Sequence, residues 1–492
     1  MMHGTAPSSR RRARQIVTVA VLAALCAIPL MKGTMLLDEP YGDSHDGRNG
    51  AVWASSAEAL RAGPMTSRWG AVWLDGTTYA NHPPAIQTVV ATAELVGGNH
   101  SRSHRTAMLI SLWLALVLLY ALLRELRFSV PTALLGVGSL AVTPFVRIYG
   151  TMVDTPILGL PIAICTLLGL VRLERRRTVD AWLLGLLVLG PLVSWQMVFL
   201  DALVLVAVLV RKDLRGWFRV TAAAFAGGMA ALGGWLLWVH GGVGPVLDVF
   251  LTRSAASGDL AGGPAEALDL QSAALQVFLG PLFLALGATV IAALRRGDRQ
   301  VVAAMSIVVV LGYAALTSNG AAIHDYWSYW ALLPMALGVA LVGEFVVGHL
   351  SRWSFGRPTQ AIASAALIAA FFVPALVPTT LHERVNGTSA PIGAVLDELE
   401  PAPDQETVWV LGGFFLTDRW LTRSPFEFAY LEERDYRRLI RQGRQADIVL
   451  IESSCRITDL MACDRVPGRA DPYPERTFQI IRVKDLERPH PR

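Results

Sequence analysis

The chain has 492 residues, 53% of them hydrophobic and 17% charged, with 14 tryptophans and a mean hydropathy of +0.44. That composition excludes an ordinary soluble globular protein, and apolar windows of about 18 residues, long enough to cross a hydrocarbon core, recur between positions 16 and 380. The formal net charge of +4 sits in the short loops between those windows, so it reports membrane orientation and makes no case for nucleic-acid binding.

In chain order, spans are expected at 16–37, 106–123, 130–146, 156–173, 180–194, 196–211, 218–240, 273–294, 299–316, 328–349 and 360–380. This is an α-helical polytopic membrane protein of about 11 transmembrane helices. The first run resembles a signal peptide, but ten spans follow it, and Leu25 is too large for a lipoprotein cleavage site before Cys26. It is expected to stay as an uncleaved helix. If "SSRRRARQ" is cytoplasmic, then "RELR" (124–127), "RLERRR" (172–177), "RKDLR" (211–215), "RRGDR" (295–299) and "HLSRWSFGR" (349–357) fall on the same side. Six basic segments therefore agree on one topology, with the C-terminal region outside.

Three long segments lie on the outer side: 38–105, a Gly-rich loop at 241–272, and the tail 381–492. In the first, "GAVWASSAEALRAG" (50–63) and "PPAIQTVVATAELVGG" (83–98) have helical apolar spacing and terminal glycines, and both are short enough to lie on the membrane surface. Asp38, Glu39, Asp43, His45 and Asp46 gather at the outer end of span one. A carboxylate at a membrane boundary suits general-base work, because partial desolvation raises its pKa; the plainer reading of Asp46 is a helix cap or solvated loop charge. Asn81 or His82 of "NHPP" likewise either caps the second short helix or stands where its free amides favour an anion.

The second outer turn, "FVRIYGTMVDTP", carries Arg147 and Asp154. An Asp facing lipid at mid-depth would cost about 2.5–3.5 kcal/mol, so Asp154 is expected at the interface, in a cavity, or as a cap. Other outer cations are Arg48, Arg61, Arg68, Arg102, Arg105 and Arg253. A late outer turn, "SNGAAIHDYWSYWALLP" (318–334), pairs His324 with Asp325, which could meet a phosphate or an acceptor hydroxyl. Its Tyr326, Trp327, Tyr329 and Trp330 read better as an interfacial aromatic belt.

The tail reads as a small α/β accessory domain, with strands at "TVWVLGG", "ADIVLIES" and "TFQIIRV" and a polar helix at "ERDYRRLIRQGRQ". Cys26 and Cys165 are core residues of spans, while Cys455 and Cys463 lie in the tail, where an oxidising compartment would permit a disulfide. P-loop, G-x-S-x-G, H-E-x-x-H and CxxC motifs are absent, which removes the usual signatures of ATP hydrolysis, serine hydrolysis and zinc-protease chemistry.

An N-in first helix, a large first outer loop with an early Asp and a later "HPP", an Asp in the second outer turn, and a His-x-Tyr…Pro turn before a late span resemble the GT-C superfamily of membrane glycosyltransferases. The resemblance covers roughly residues 16–350 and is nearest to the bacterial branch similar to dolichyl-phosphate-mannose protein mannosyltransferases and the lipid A aminoarabinose transferase. It implies a catalytic domain over 1–380 and an accessory domain over 381–492. It puts Asp46 at the position of the catalytic carboxylate, with Asp43 as the alternative, and Asp154 at the second acidic position. Many relatives have "KPP" or "PP" where this chain has His82-Pro83-Pro84, and Gly47 replaces the second acid of a common "DE" pair, which weakens a two-carboxylate metal site.

The implied activity is inverting transfer of a sugar from a polyprenyl-phosphate donor to a protein, lipid or glycan acceptor on the outer face of a bacterial inner membrane. Asp46 would deprotonate the acceptor hydroxyl, and Arg147, Arg253 and His324, joined by His45, His82 and Tyr326, would hold the substrate and stabilise the departing phosphate. Such a leaving group needs no metal, although a divalent ion is compatible. A transporter of lipid-linked sugars and a glycan polymerase or ligase remain the rival readings; the acidic residues at outer helix ends, with no paired repeats, argue against the transporter.

Overall fold

The computed structural model describes residues 15–29, 37, 41, 45–72, 78–98, 100–253, 264–295, 297, 299–324, 326–350, 407–411, 427–431, 442, 448–452 and 478–482, less the side chains of a few of these. The chain divides into two compact units, one of residues 1–38 and 56–379, the other of residues 39–55 and 380–492.

The first unit is helical. It holds α1 (Gln15–Pro29), then α2 (His45–Ala62, shared with the second unit), α3 (Ala85–Gly97), α4 (Ser101–Glu125), α5 (Val130–Val142), α6 (Pro144–Tyr149), α7 (Thr155–Arg176), α8 (Ala181–Val193) and α9 (Trp195–Val210). After these come α10 (Phe218–His240), α11 (Val243–Arg253), α12 (Pro264–Leu279), α13 (Ala285–Leu294), α14 (Gln300–Leu316), α15 (Ser318–Ile323) and α16 (Leu332–Leu350). Among the described residues, five helical stretches are long and apolar enough to cross a membrane, at 101–125, 155–176, 215–240, 267–294 and 329–349. Shorter apolar helices occupy the other expected spans, except 360–380, which lies outside the described residues.

Local chemistry explains where these helices begin and break. Ser194 separates α8 from α9 within the "GPLVSWQMVF" run, its hydroxyl accepting from the Met197 amide at 3.2 Å. The span expected as one piece at 273–294 is broken: α12 ends at Leu279, a 3-10 turn runs Gly280–Leu284, and α13 resumes at Ala285. Gly280 has φ +54° and Pro281 lacks an amide proton, so the pair cannot continue the α-helical ladder. The expected loop 241–272 is also more ordered than its glycines suggest, because it contains α11 and the first half of α12.

Helix packing follows the small-residue rule of membrane bundles. A side chain on Gly338 of α16 would collide with the Ala285 carbonyl of α13, and one on Gly228 of α10 with the Val188 carbonyl of α8. The principal partners are α4 with α7, α8 with α10, and α16 with both α5 and α13.

Helix length then fixes two ends. The 25 residues of α4 and the 22 of α7 extend about 37 Å and 33 Å. At their C-terminal ends the basic loops converge. Arg175 bonds Glu125 at 3.1 Å, Arg211 bonds Glu174 at 2.7 Å, and Arg177 pairs with Asp213. From the next basic loop, Arg299 Nε donates to the Leu126 carbonyl at 3.2 Å. Four loops expected on one side of the membrane thus meet at one end of the bundle, here called the arginine end.

In the second unit, four strands, β1 (Thr407–Leu411), β2 (Glu427–Leu431), β3 (Ile448–Glu452) and β4 (Phe478–Arg482), form a sheet of order β2-β1-β3-β4. β1 is parallel to both β2 and β3, and β4 runs antiparallel to β3. β1, β3 and β4 fall on the three expected strands; β2 was not anticipated. The expected helix between β2 and β3, apart from Gln442, lies outside the described residues, as do Cys455 and Cys463.

Candidate functional site

The other end of the bundle, where α7 begins, gathers most of the residues singled out from the sequence. Asp154 is the N-cap of α7, with its carboxylate accepting from the Thr155 amide at 2.6 Å; Pro156 follows at the start of the helix, as helix entry favours. The side chain is 3% exposed. The cap reading of Asp154 is therefore realised, and the same geometry fixes a buried carboxylate at a helix start. Trp330 reaches it from the far end of the sequence, donating from its indole to the Pro156 carbonyl at 2.9 Å.

This contact brings the second outer turn against the late one. α6 carries Arg147, half-buried, and Tyr149, whose ring lies 5.5 Å from that of Tyr326. Tyr326 lies 5.2 Å from His324, and the imidazole of His324 stacks on Trp327 at 5.3 Å. The aromatic residues here are not an outward-facing belt: Tyr326, Trp327, Tyr329 and Trp330 are all buried. The polar edges of the two tryptophans are satisfied inside, since Trp327 donates to the Thr317 hydroxyl at 2.8 Å and Trp330 to the Pro156 carbonyl, which lets their rings pack inward.

A residue missed in the sequence holds this turn in place. Gln271 of α12 donates to the carbonyls of Ala321 (2.7 Å) and His324 (2.8 Å), and accepts from the backbone amide (3.0 Å) and hydroxyl (2.6 Å) of Ser328. Every hydrogen-bonding direction of the buried amide is used. The sequence signal was hidden because Gln271 lay in what read as a Gly-rich loop.

The part of loop one that belongs to the first unit, from Ser56 on, packs onto the same end. The Asn81 carbonyl accepts from the Trp195 indole at the start of α9 (2.9 Å), and His82 is half-buried with its ring 6.3 Å from Tyr79. Neither Asn81 nor His82 caps α3: the N-cap is Pro84, with no side-chain hydrogen bond. Arg68 donates to the Val239 carbonyl at the end of α10 (2.5 Å), a favourable place for a cation. At the junction with α4, the buried Glu94 carboxylate meets Arg61 at 2.8 Å and His104 at 2.8 Å, tying α2, α3 and α4 together.

The remaining expected residues are placed as follows. Asp46 is the second residue of α2 rather than lying ahead of the helix, and it is 2% exposed. Helix formation begins at His45, so "HDGRNG" is not an open loop; an acid in a first turn suits the helix dipole. Gly50 is required there because any side chain would strike the Tyr41 ring, itself buried. Where α3 keeps its buried residues to one stripe, α2 is buried around most of its circumference over 46–57. Asp43, Asp325 and the side chains of His45 and Arg253 lie outside the described residues, although α11, which ends at Arg253, packs on α15 just before His324. Among the described residues, no group of three or more His, Cys, Asp or Glu is arranged to hold a metal.

One further buried acid was also missed. Asp201, the seventh residue of α9, is fully buried beside Gly190 of α8, and neither of its oxygens has a hydrogen-bond partner among the described residues.

Comparison with known proteins adds two findings. The family model described as dolichyl-phosphate-mannose-protein mannosyltransferase matches residues 81–238, from "NHPP" through α10. No curated protein matches the sequence. Among solved structures, the chain is similar to ArnT from Cupriavidus metallidurans bound to undecaprenyl phosphate, with 13% identity, 90% of this chain and 93% of that one covered, and a TM-score of 0.57. It is likewise similar to the archaeal oligosaccharyltransferase AglB from Archaeoglobus fulgidus in complex with an inhibitory peptide and a dolichol-phosphate: 13% identity, 90% and 70% covered, TM-score 0.57.

Proposed function

We infer that this chain, which shares the GT-C membrane glycosyltransferase fold and carries a mannosyltransferase-family segment, transfers a sugar from a polyprenyl-phosphate-linked donor to an acceptor hydroxyl, with inversion at the anomeric carbon. The carrying observation is the gathering of Asp154, Arg147, His324 and Tyr326 at one end of the bundle, away from the arginine end. A buried carboxylate, a guanidinium and an imidazole around one helix start suit a substrate with a phosphate at the membrane surface and an isoprenoid tail among the helices. The solved relatives carrying undecaprenyl phosphate and dolichol-phosphate support the same donor class.

In this reading Asp46 takes the proton of the acceptor hydroxyl as its oxygen attacks the anomeric carbon, and the bond to the donor phosphate breaks on the opposite face. Arg147, Arg253 and His324, with His45, His82 and Tyr326, hold the donor and neutralise the phosphate that departs. The acceptor is a protein, lipid or glycan on the outer face of a bacterial plasma membrane.

The test is transfer of labelled sugar from a panel of polyprenyl-phosphate donors by purified protein in liposomes. Asp46→Asn is expected to lower the rate by about 10²-fold or more, the scale for losing a general base. A near wild-type rate for that variant moves the base to Asp43 or Asp154. Asp201 favours a second reading, since an unpartnered acid buried within a transmembrane helix is a usual mark of a transport pathway. If no donor reacts while labelled lipid crosses the bilayer, and Asp201→Asn stops the crossing, the transport reading replaces the first.

A further inference from the structure

At the arginine end, away from the candidate active site, a cavity of about 560 Å³ opens between α13, α14, α16 and the turn joining α4 to α5. Arg127, Arg295 and Arg299 line one part of it, and Ile291, Val342 and Phe345 another. We propose that this groove binds the headgroup of an anionic phospholipid from the surrounding leaflet, with the phosphate against the arginines and the upper acyl chains along Ile291 and Phe345.

The three guanidinium groups are not equivalent. Arg299 is already engaged: it meets Glu344 at 2.7 Å, donates to the Leu126 carbonyl, and lies 3.7 Å over the Phe128 ring. It forms a fixed and neutralised wall. The side chain of Arg295, at the C-terminal end of α13, makes no hydrogen bond or ion pair among the described residues, although its backbone amide caps the helix by donating to the Ile291 carbonyl. Arg127 is held by a left-handed turn with φ +62° directly after α4. Glu344 offsets the charge of Arg299, and the Arg295 guanidinium keeps its own charge without a counter-ion among the described residues; Arg296 and Asp298 of the same loop lie outside the described residues.

The apolar part is exposed where a soluble protein would cover it. Phe345 is 72% and Ile291 51% accessible, and both lie within about a turn or two of helix ends. A cationic rim above exposed hydrocarbon, at the boundary of a helical membrane bundle, complements a lipid that is anionic at its head and apolar below. Free phosphate would satisfy the arginines but leave Phe345 and Ile291 bare, which is why a lipid is the committed occupant. The basic loops that converge here also lie on the side that the Lys/Arg bias assigns to the cytoplasm.

The experiment is native mass spectrometry of the full chain, purified from nanodiscs containing equal phosphatidylglycerol and phosphatidylcholine. Wild type is expected to retain phosphatidylglycerol selectively, and the selectivity should fall roughly tenfold or more in R127A/R295A. Arg295→Gln alone, at an exposed residue whose side chain has no partner among the described residues, should show an intermediate loss and guards against a folding defect in the double variant. Arg176→Ala, basic but outside the groove, should keep wild-type selectivity. Equal retention of phosphatidylcholine, wild-type selectivity in R127A/R295A, or displacement of the lipid by millimolar inorganic phosphate would each overturn the proposal. Sugar transfer is not part of the readout, so failure here is separate from failure of the glycosyltransferase reading.

Discussion

At the end of the bundle where α7 begins, several buried polar groups are matched, Gln271 by four hydrogen bonds, Glu94 by Arg61 and His104, and Asp154 by the amide of Thr155, while the buried Tyr329 hydroxyl has no hydrogen-bond partner among the described residues. At the end where α7 finishes, the paired polar groups are half-exposed, and arginines share carboxylates across helix ends. Burial removes the option of bonding to water, so each interaction at the first end is expensive to lose. Solvent at the second end offers a substitute for each partner, so single losses there cost little. A site that must hold a substrate in one geometry belongs at the first end. Charges that set membrane orientation are well served by the second.

Single substitutions can break this contrast, and the largest effect is expected at Glu94. Glu94→Ala takes the carboxylate from the buried His104 and from the exposed Arg61 and should cost about 3–5 kcal/mol, read as unfolding in detergent. A loss below about 1 kcal/mol would show that this end is no more dependent on its pairs than the other.

Gln271→Leu keeps the volume but strands two carbonyls and Ser328. It should cost about 2–3 kcal/mol and lower sugar transfer by roughly tenfold or more, because His324 and Tyr326 lose their support. Destabilisation with transfer left at the wild-type rate would separate the turn from the chemistry.

Asp154 sharpens the comparison further, since its charge and its capping can be removed separately. Asp154→Ala should cost about 1 kcal/mol through the lost cap. Asp154→Asn keeps the cap, so a drop in transfer at unchanged melting temperature assigns a role to the charge, and wild-type transfer reduces the residue to a cap.

The smallest effect is expected at the arginine end. Arg175→Ala should change stability by about 0.2–1 kcal/mol, and added salt should erase the difference. Nearby, desolvation alone would raise the Asp213 carboxyl, but its own backbone amide and the neighbouring Arg177 and Arg211 outweigh it and hold the pKa below the ordinary 3.8. Its contribution is therefore present above that value and lost only as pH falls below it. Melting temperature should not respond to this group between about pH 8 and pH 5.

How far the sequence could be read depended on what each signal averages over. Long apolar windows marked the positions of α4, α7, α10 and α14, because membrane helices of that length need little beyond apolar composition and backbone closure. The same averaging concealed Asp201, a single acid in "WQMVFLDALVLVAVLV". It also carried the span at 273–294 across the Gly280–Pro281 break. Glycines at 258–263 made the segment before that span look like a loop and concealed Gln271. In the tail, alternating β-branched runs revealed β1, β3 and β4, while β2, "EFAYL", carries a charge and lies among charged and turn residues that masked it.

The sequence by itself determined that the chain is a multi-span helical protein, which loops share a side, and which turns carry acids, because each follows from composition and charge within a short window. Only the tertiary structure decided that Tyr326, Trp327 and Trp330 face inward, that Gln271 holds the His324 turn, and that Arg147, Asp154 and His324 share one end. The contacts that join these turns link segments more than 50 residues apart, such as Gln271 with the His324 carbonyl and Trp330 with Pro156. No local preference encodes them; they arise when helices of fixed length pack through glycines and bring their ends together.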